Sequence, residues 1–122
     1  MGKDVLLIED EPNIIEAISF ILARDGWSVR THSNGQDAVA TVRARLPDLV
    51  ILDVMLPGRN GYDILADIRA DAAIAETPVL MLTARGQRKD REMAERAGAS
   101  RYMTKPFSNA DVLDAVRALA GT

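Results

Sequence analysis

The residues best placed to do chemistry are three acids that directly follow two apolar runs. Val5–Ile8 is followed by Glu9 and Asp10, and Leu49–Leu52 is followed by Asp53. Continuous apolar runs of this length are typical of strands buried on both faces, as in a parallel sheet. Because the carboxyl ends of parallel strands meet at one edge, where open α/β sheets bind ligands, we expect the three carboxylates to lie together.

Two further strands place a hydroxyl and an amine at the same edge. The run Pro78–Thr83 ends in a threonine beside the small Ala84, and Arg101–Thr104 is followed by Lys105. Carboxylates about 4 Å apart repel by roughly 1–4 kcal/mol per pair, depending on the effective dielectric constant. Three carboxylates and one ammonium leave two negative charges, which one divalent cation neutralises. A donor set of oxygens favours Mg2+ over zinc.

An aspartate beside a divalent cation, with a threonine and a lysine opposite, is suited to accepting a phosphoryl group. The Asp53 carboxylate is the expected nucleophile. The cation and Lys105 would neutralise charge developing on the phosphoryl oxygens, and Thr83 can donate a hydrogen bond to one of them. Each residue taken singly has an ordinary explanation, such as a surface lysine, so the hypothesis depends on their all ending strands at one edge.

The elements that must position these residues are five strands alternating with five helices. Ser28–His32 is a short strand expected at a sheet edge, and Pro12 and Gly26 bracket the first helix. This alternation indicates a parallel sheet with right-handed crossovers and helices on both faces. The predicted fold is therefore α/β, doubly wound and flavodoxin-like.

The predicted helices differ in the apolar surface that they offer. The second is expected to open at Asn34-Gly35 and to bury a face that ends at Leu46. The segment Gly86–Ala97 is charged, and Met93 is its only large apolar residue. We therefore expect this fourth helix to be the least firmly held.

The composition limits the class of protein. The 122 residues suffice for one domain, 48% are hydrophobic, and 27% carry charges of mixed sign, which argues against disorder. A formal net charge of -3 without a long basic run argues against nucleic-acid binding by this segment, and the lack of cysteine excludes disulfides. No apolar run suits a membrane span or a secretory signal, so we expect a cytoplasmic protein.

Together these residues resemble the receiver domain of two-component response regulators, over Lys3 to Leu119. The motifs that carry the resemblance are Glu9-Asp10, LVILDVMLPGRNGYDIL around Asp53, Thr83-Ala84, and Tyr102 with Lys105-Pro106-Phe107. The resemblance implies a chemotaxis-regulator-like sheet with strand order 2-1-3-4-5. It also implies one receiver domain over residues 1–122.

The resemblance implies a phosphoacceptor and a metal site. Asp53 would accept a phosphoryl group from a histidine kinase or a histidine phosphotransfer protein. Mg2+, or Mn2+ in its place, would be bound by Asp10, Asp53 and the main-chain carbonyl of Met55, with Glu9 acting through water.

Switching would follow from phosphorylation, which changes the charge on Asp53 from -1 to about -1.5 to -2. Thr83 and Lys105 would be drawn to the new oxygens, and the resemblance implies that Tyr102 turns inward. The surface of helix 4, strand 5 and helix 5 would then signal to a downstream protein by a population shift. A cis peptide bond before Pro106 is also implied by the family.

Some positions depart from the family pattern. Ser100-Arg101 stands where many DNA-binding regulators carry two acids that serve a charged dimer surface, which weakens the expectation of that dimer. Met55 and Arg85 flank the pocket, two positions after Asp53 and Thr83, and are expected to tune the lifetime of the phosphoryl group.

Two other classes of protein fit less well. A phosphohydrolase of the haloacid-dehalogenase type needs a second acid two residues after its nucleophile, where this chain has Met55. A flavodoxin-like nucleotide binder needs a phosphate-cradling loop after the first strand, where Glu9-Asp10-Glu11 would repel phosphate. We expect a phosphoacceptor domain, not an enzyme, and favour a single-domain regulator over a receiver from a longer protein.

Overall fold

Strands and helices alternate along the whole of the described chain. The computed structural model describes residues 3–84 and 88–120, except for the side chains of residues 88–90. The elements are β1 (Asp4–Ile8), α1 (Pro12–Arg24), β2 (Ser28–His32), α2 (Ala38–Arg45), β3 (Leu49–Asp53), α3 (Gly61–Ala70), β4 (Val79–Thr83), α4 (Arg88–Ala97), β5 (Arg101–Thr104) and α5 (Asn109–Ala120). All neighbouring strands pair in parallel, in the order β2-β1-β3-β4-β5. The predicted fold class, strand order and edge position of Ser28–His32 are confirmed.

The two faces of the sheet bury separate apolar clusters. Alternate residues of a strand point to opposite faces, so Leu7 and Ile51 pack with α1 and α5. Leu6 and Val50 point the other way and pack with α2, α3 and α4. Because both faces are covered, the central strands are apolar at consecutive positions, and β3 is buried along its whole length.

The second helix departs from the prediction at both ends. It begins at Ala38 and not at Asn34-Gly35, which lie in the preceding loop. Leu46, predicted to be buried, is 64% exposed. It lies at the C-cap in the left-handed conformation with φ 49°, and its N–H donates to the Val42 carbonyl. This local turn takes Leu46 off the buried face of the helix.

The fourth helix packs through a small residue. Met93 is 44% exposed, whereas Ala94 is fully buried. Met93, the only large apolar residue of the segment, therefore adds little to the packing of this helix. Residues 86 and 87, which belong to the same predicted helix, lie outside the described residues. That α4 is the least firmly held helix stays a prediction.

Candidate functional site

The register of the sheet brings the strand-end acids to one edge. Ile8 of β1 pairs with Leu52 of β3, so the residues that follow them, Glu9 and Asp53, end neighbouring strands side by side. Asp53 also pairs with Leu82 of β4, one residue before the end of that strand. The carboxyl edge of the sheet is therefore where the predicted site lies.

Three carboxylates form one compact cluster at this edge. One oxygen from each of Glu9, Asp10 and Asp53 lies within 4.8 Å of the others. Glu9 is fully buried and Asp53 is only 3% exposed, whereas Asp10 faces solvent. The Oε2 atom of Glu9 accepts hydrogen bonds from the backbone N–H groups of Asp10 and Glu11, both at 3.1 Å. These bonds fix the Glu9 carboxylate in the direction of the cluster.

A lysine from the neighbouring loop joins the cluster. The Nζ atom of Lys105 lies 3.1 Å from Glu9 Oε1 and 3.2 Å from Asp53 Oδ1. Although Oε1 is close to this ammonium group, it accepts no well-aligned hydrogen bond from any described residue. The charge of Lys105 therefore offsets part of the cost of burying this carboxylate oxygen.

The surroundings of the cluster shift two of its pKa values. Burial raises the pKa of Glu9, and the charge of Asp53 adds to the rise, although the Glu11 N–H and Lys105 oppose it. Burial alone would lower the pKa of Lys105, but contacts with Glu9 and Asp53 outweigh it and raise that pKa. Lys105 is therefore held as a cation beside Asp53 at neutral pH.

The donor set fits a hard divalent cation. The three acids offer one oxygen each within 4.8 Å, which is the chemistry that Mg2+ and Mn2+ prefer. Lys105 neutralises one of the three negative charges, so the cluster keeps room for two positive charges. Two negative charges therefore remain in the cluster beside the Lys105 ammonium group, which suits one divalent cation.

The predicted hydroxyl lies at the end of β4, beside the lysine loop. Thr83 is 4% exposed, and its carbonyl accepts a hydrogen bond of 2.7 Å from the Lys105 backbone N–H. Ala84, the next residue, is exposed. The peptide bond between Lys105 and Pro106 is cis, as the resemblance implied.

The remaining predicted site residues lie at the margin of the cluster. Tyr102 is half-buried on β5, with the Arg91 guanidinium 5.8 Å from its ring centroid. Met55 is 72% exposed in the loop after β3. Arg85, predicted to tune the lifetime of the phosphoryl group, lies outside the described residues.

Sequence reasoning missed the support behind the loop that follows Asp53. The Gly35 N–H donates a hydrogen bond of 2.8 Å to the Pro57 carbonyl, so the loop before α2 braces the loop after β3. The Asn34-Gly35 dipeptide was interpreted as the start of a helix. The same dipeptide is a strong turn signal, from which a loop before α2 could have been predicted.

A doubly wound parallel sheet with an acidic cluster and a lysine at its carboxyl edge is the architecture of a signal receiver. The chain belongs to the response regulator receiver domain family of two-component systems, whose family model matches residues 5–117. It is 42% identical over 115 residues to the transcriptional regulatory protein TcrX of Mycobacterium tuberculosis, covering 94% of this chain and 48% of TcrX. The chain spans about half the length of the curated relatives that it matches.

Solved structures agree with this assignment. A response regulator of Chloroflexus aurantiacus superposes with a TM-score of 0.94 at 30% identity, covering 100% of both chains. The receiver domain of the Pseudomonas aeruginosa sensor histidine kinase PA1611 superposes with a TM-score of 0.91 at 30% identity, again over 100% of both chains. That structure has a magnesium ion coordinated in its active-site cleft. Within the described part of this chain, no helix is long and apolar enough to cross a membrane.

Proposed function

We propose that this receiver domain accepts a phosphoryl group on Asp53 from a histidine kinase or a histidine phosphotransfer protein, with Mg2+ or Mn2+ bound beside it. The observation that supports this most strongly is the position of the Asp53 carboxylate. It lies 3.2 Å from the Lys105 ammonium group and within 4.8 Å of oxygens from Glu9 and Asp10. A carboxylate in this setting has a cation on one side and a metal-binding cluster on the other.

The proposed transfer forms one bond and breaks one. An oxygen of Asp53 attacks the phosphorus atom of the donor phosphohistidine, and the phosphorus–nitrogen bond breaks, with its electron pair returning to the imidazole ring. Lys105 balances charge on the phosphoryl oxygens throughout, since its raised pKa keeps it protonated. The Thr83 hydroxyl donates a hydrogen bond to one of those oxygens.

The proposed metal ligands are the Asp10 and Asp53 carboxylates and the main-chain carbonyl of Met55, with Glu9 acting through water. The ion would neutralise negative charge as the phosphoryl group reaches Asp53. The low exposure of Asp53, 3%, limits the approach of water to the acceptor carboxylate. We propose that Met55 and Arg85 set how long the phosphoryl group persists.

The proposed output is a population shift at the surface formed by α4, β5 and α5. Thr83 and Lys105 are already joined by a backbone hydrogen bond, so a phosphoryl group that draws one of them in acts on both. Tyr102 lies on β5, two residues before Thr104, the last residue of that strand. We propose that its side chain turns inward to transmit the change. The receiver is proposed to signal through contacts with a downstream protein partner.

Further parts of the proposal concern the chain as a whole. We propose that residues 1–122 act as one receiver domain in the cytoplasm and that this segment makes no contact with nucleic acid, in keeping with its formal net charge of -3. We also propose that it is a phosphoacceptor and not an enzyme. We therefore expect one phosphorylation per chain and no repeated turnover of a small phosphate ester.

The experiment that tests the function is phosphoryl uptake from acetyl phosphate, followed by intact-mass spectrometry. The wild type is expected to gain one phosphoryl group in the presence of Mg2+ and none in excess chelator, and Asp53→Asn is expected to gain none. Asp114→Asn is the matched control, since Asp114 is an exposed aspartate on α5. Uptake by Asp53→Asn at the wild-type rate would overturn the proposal.

A further inference from the structure

Two loops meet backbone to backbone beside the acidic cluster. They are residues 33–37, before α2, and residues 54–60, which follow Asp53. The Gly35 N–H donates to the Pro57 carbonyl at 2.8 Å, and Gly35 is buried although it lies in a loop. A Cβ atom at Gly35 would lie 2.6 Å from the Arg59 carbonyl oxygen and 2.9 Å from its nitrogen. Both atoms belong to the backbone, so any side chain here must displace the second loop.

The contact is equally close from the other side. Gly58 has a φ of +88°, and a Cβ atom there would lie 2.7 Å from the Asn34 Oδ1 atom. That oxygen accepts a hydrogen bond of 2.8 Å from the Gln36 backbone N–H, which fixes the shape of the first loop. The two loops therefore interlock through glycines, and neither can shift without the other.

The segment that follows Asp53 is held at its ends by the sheet and by α3. The Val54 N–H donates to the Leu82 carbonyl at 3.0 Å, and the Gly61 N–H donates to the Val54 carbonyl at 2.8 Å. These bonds secure the base of the loop but not its middle. Among the backbone hydrogen bonds of the described residues, the one from Gly35 to Pro57 joins the middle of this loop to the β2–α2 loop.

The middle of this loop matters for the metal site because the three acids supply fewer ligands than a Mg2+ ion needs. The three acids supply one oxygen each, whereas Mg2+ takes six ligands in near-ideal octahedral geometry. Backbone carbonyls and waters supply the others in such sites, and the residues directly after Asp53 carry the nearest backbone carbonyls in sequence. Small displacements of this segment therefore change how well the cluster holds the ion.

We propose that Gly35 is a positioning residue for the metal site, which sets the position of residues 54–60 beside Asp53 and thereby the affinity for a divalent cation. The proposal rests on the proposed function only in requiring a divalent cation at the acidic cluster. Gly35 touches neither the ion nor the phosphoryl group, and it acts through Pro57 and Arg59.

The test is Gly35→Ala, with the dissociation constant for Mn2+ measured from the electron paramagnetic resonance signal of the free ion. We expect binding to weaken about 10-fold, the lower end of the range for residues that support metal ligands. Phosphoryl uptake at saturating Mg2+ should return close to the wild-type rate, because only the affinity for the ion has changed. This division between affinity and maximal rate is not expected from a loss of folded protein.

The matched control is Gly26→Ala. Gly26 has a φ of +93° and no atom within 4 Å of the added Cβ, so this change strains the backbone in open space and away from the cluster. It is expected to leave Mn2+ affinity at the wild-type value. If Gly35→Ala does not fold, Asn34→Ala replaces it, since it removes the acceptor for the Gln36 N–H without adding bulk.

Each outcome decides the proposal. Weaker Mn2+ binding by Gly35→Ala or by Asn34→Ala, with Gly26→Ala unchanged, supports it. Unchanged affinity in the loop variants, or an equal loss in Gly26→Ala, overturns it. A wild type that binds Mn2+ but takes up no phosphoryl group would instead contradict the proposed function, so the two failures are distinguishable.

Discussion

Glu9 experiences opposing forces within a few ångströms. Its side chain is fully buried, yet one oxygen accepts two backbone N–H groups and the other faces the Lys105 ammonium group. The effective penalty for burying an ionised carboxylate is several kcal/mol unless charge and hydrogen bonds compensate it. The pKa of Glu9 is raised, chiefly by burial, so these contacts compensate only part of the cost.

Glu9→Gln is therefore expected to stabilise the metal-free protein, because it removes a buried charge while keeping the shape of the side chain. A gain of about 1 kcal/mol corresponds to a rise in melting temperature of roughly 2–8 °C for a domain of this size. The same change should reduce the further rise that Mg2+ produces in the wild type. Differential scanning calorimetry in chelator and in Mg2+ measures both effects.

The control for this prediction is Glu16→Gln, which alters an exposed acid on α1. It should change neither the melting temperature in chelator nor the Mg2+ effect by more than a small amount. A lower melting temperature for Glu9→Gln in chelator, or an undiminished Mg2+ effect, would show that Glu9 stabilises the fold as a paired charge.

The positions of single functional residues could be predicted from the sequence because each follows an apolar run. Asp53 and Thr83 end β3 and β4, and Glu9 directly follows β1. The direction of the Glu9 carboxylate could not be predicted, since it depends on two backbone N–H groups whose orientation is set by the turn into α1. The roles of Asp53 and Tyr102 in phosphorylation and switching stay predictions.

Among the elements, α3 and α4 are joined by one arginine at the edge opposite the acidic cluster. Arg69 Nε donates to the Gly98 carbonyl at 2.9 Å, and Nη1 donates to the Ala75 and Thr77 carbonyls at 2.9 and 2.6 Å. Burial lowers the pKa of this guanidinium group. Because Gly98 follows the last turn of α4, a cation there also compensates the negative end of the helix dipole.

Arg69→Lys keeps the positive charge but loses the planar fork that reaches three carbonyls at once. We expect the free energy of unfolding to fall by about 1–3 kcal/mol, since the partly buried carbonyls lose charged hydrogen bonds. Urea denaturation measures the loss. Arg96→Lys, on an exposed position of α4, is the control. Equal stability of Arg69→Lys and Arg96→Lys would contradict the role assigned to the planar guanidinium group of Arg69.

A second pair of elements, α5 and the turn after α1, is joined through Asp25. Arg117 contacts the Asp25 carboxylate at 2.5 and 3.1 Å, and the Trp27 ring N–H donates to it at 3.0 Å. The hydrogen bond from Arg117, helped by the one from Trp27, lowers the pKa of Asp25. A lowered carboxyl pKa stabilises the folded state above the pKa of the unfolded chain, about 3.9 for Asp, and this stability is lost as pH falls through the folded pKa.

Asp25→Asn should therefore be less stable than the wild type at pH 7, by an amount that shrinks as the pH falls below about 4. Urea denaturation midpoints at pH 7 and at about pH 3 give the comparison. Glu16→Gln serves as the control, because Glu16 is an exposed acid on α1. A difference in stability between wild type and Asp25→Asn that grows as the pH falls would contradict this prediction.

The ends and packing of single elements were less predictable than their existence. The apolar spacing through Ala38 and Val42 predicted α2, but the same spacing could not show that the helix would end before Leu46. In α4 the small Ala94 is buried and the larger Met93 is exposed. The turn that ends α2 and the choice of buried residue in α4 are not recorded in the apolar spacing.

At the scale of the whole molecule, the alternation of strands and helices was sufficient to predict a parallel sheet covered on both faces. The order of the strands was implied by family resemblance, and the sheet confirms it. The interlocked loops at Gly35 and Gly58 could not be predicted, since they meet only after the sheet has brought β2 and β3 to opposite sides of β1.

The most direct test of the central claim locates the phosphoryl group in the chain. After incubation with acetyl phosphate and Mg2+, borohydride reduces an aspartyl phosphate to homoserine, which tandem mass spectrometry assigns to a position. Homoserine is expected at Asp53 in the presence of Mg2+ or Mn2+ and is expected to be absent when the metal is chelated. Homoserine at Asp10, or at any other acid while Asp53 stays unmodified, would contradict the account.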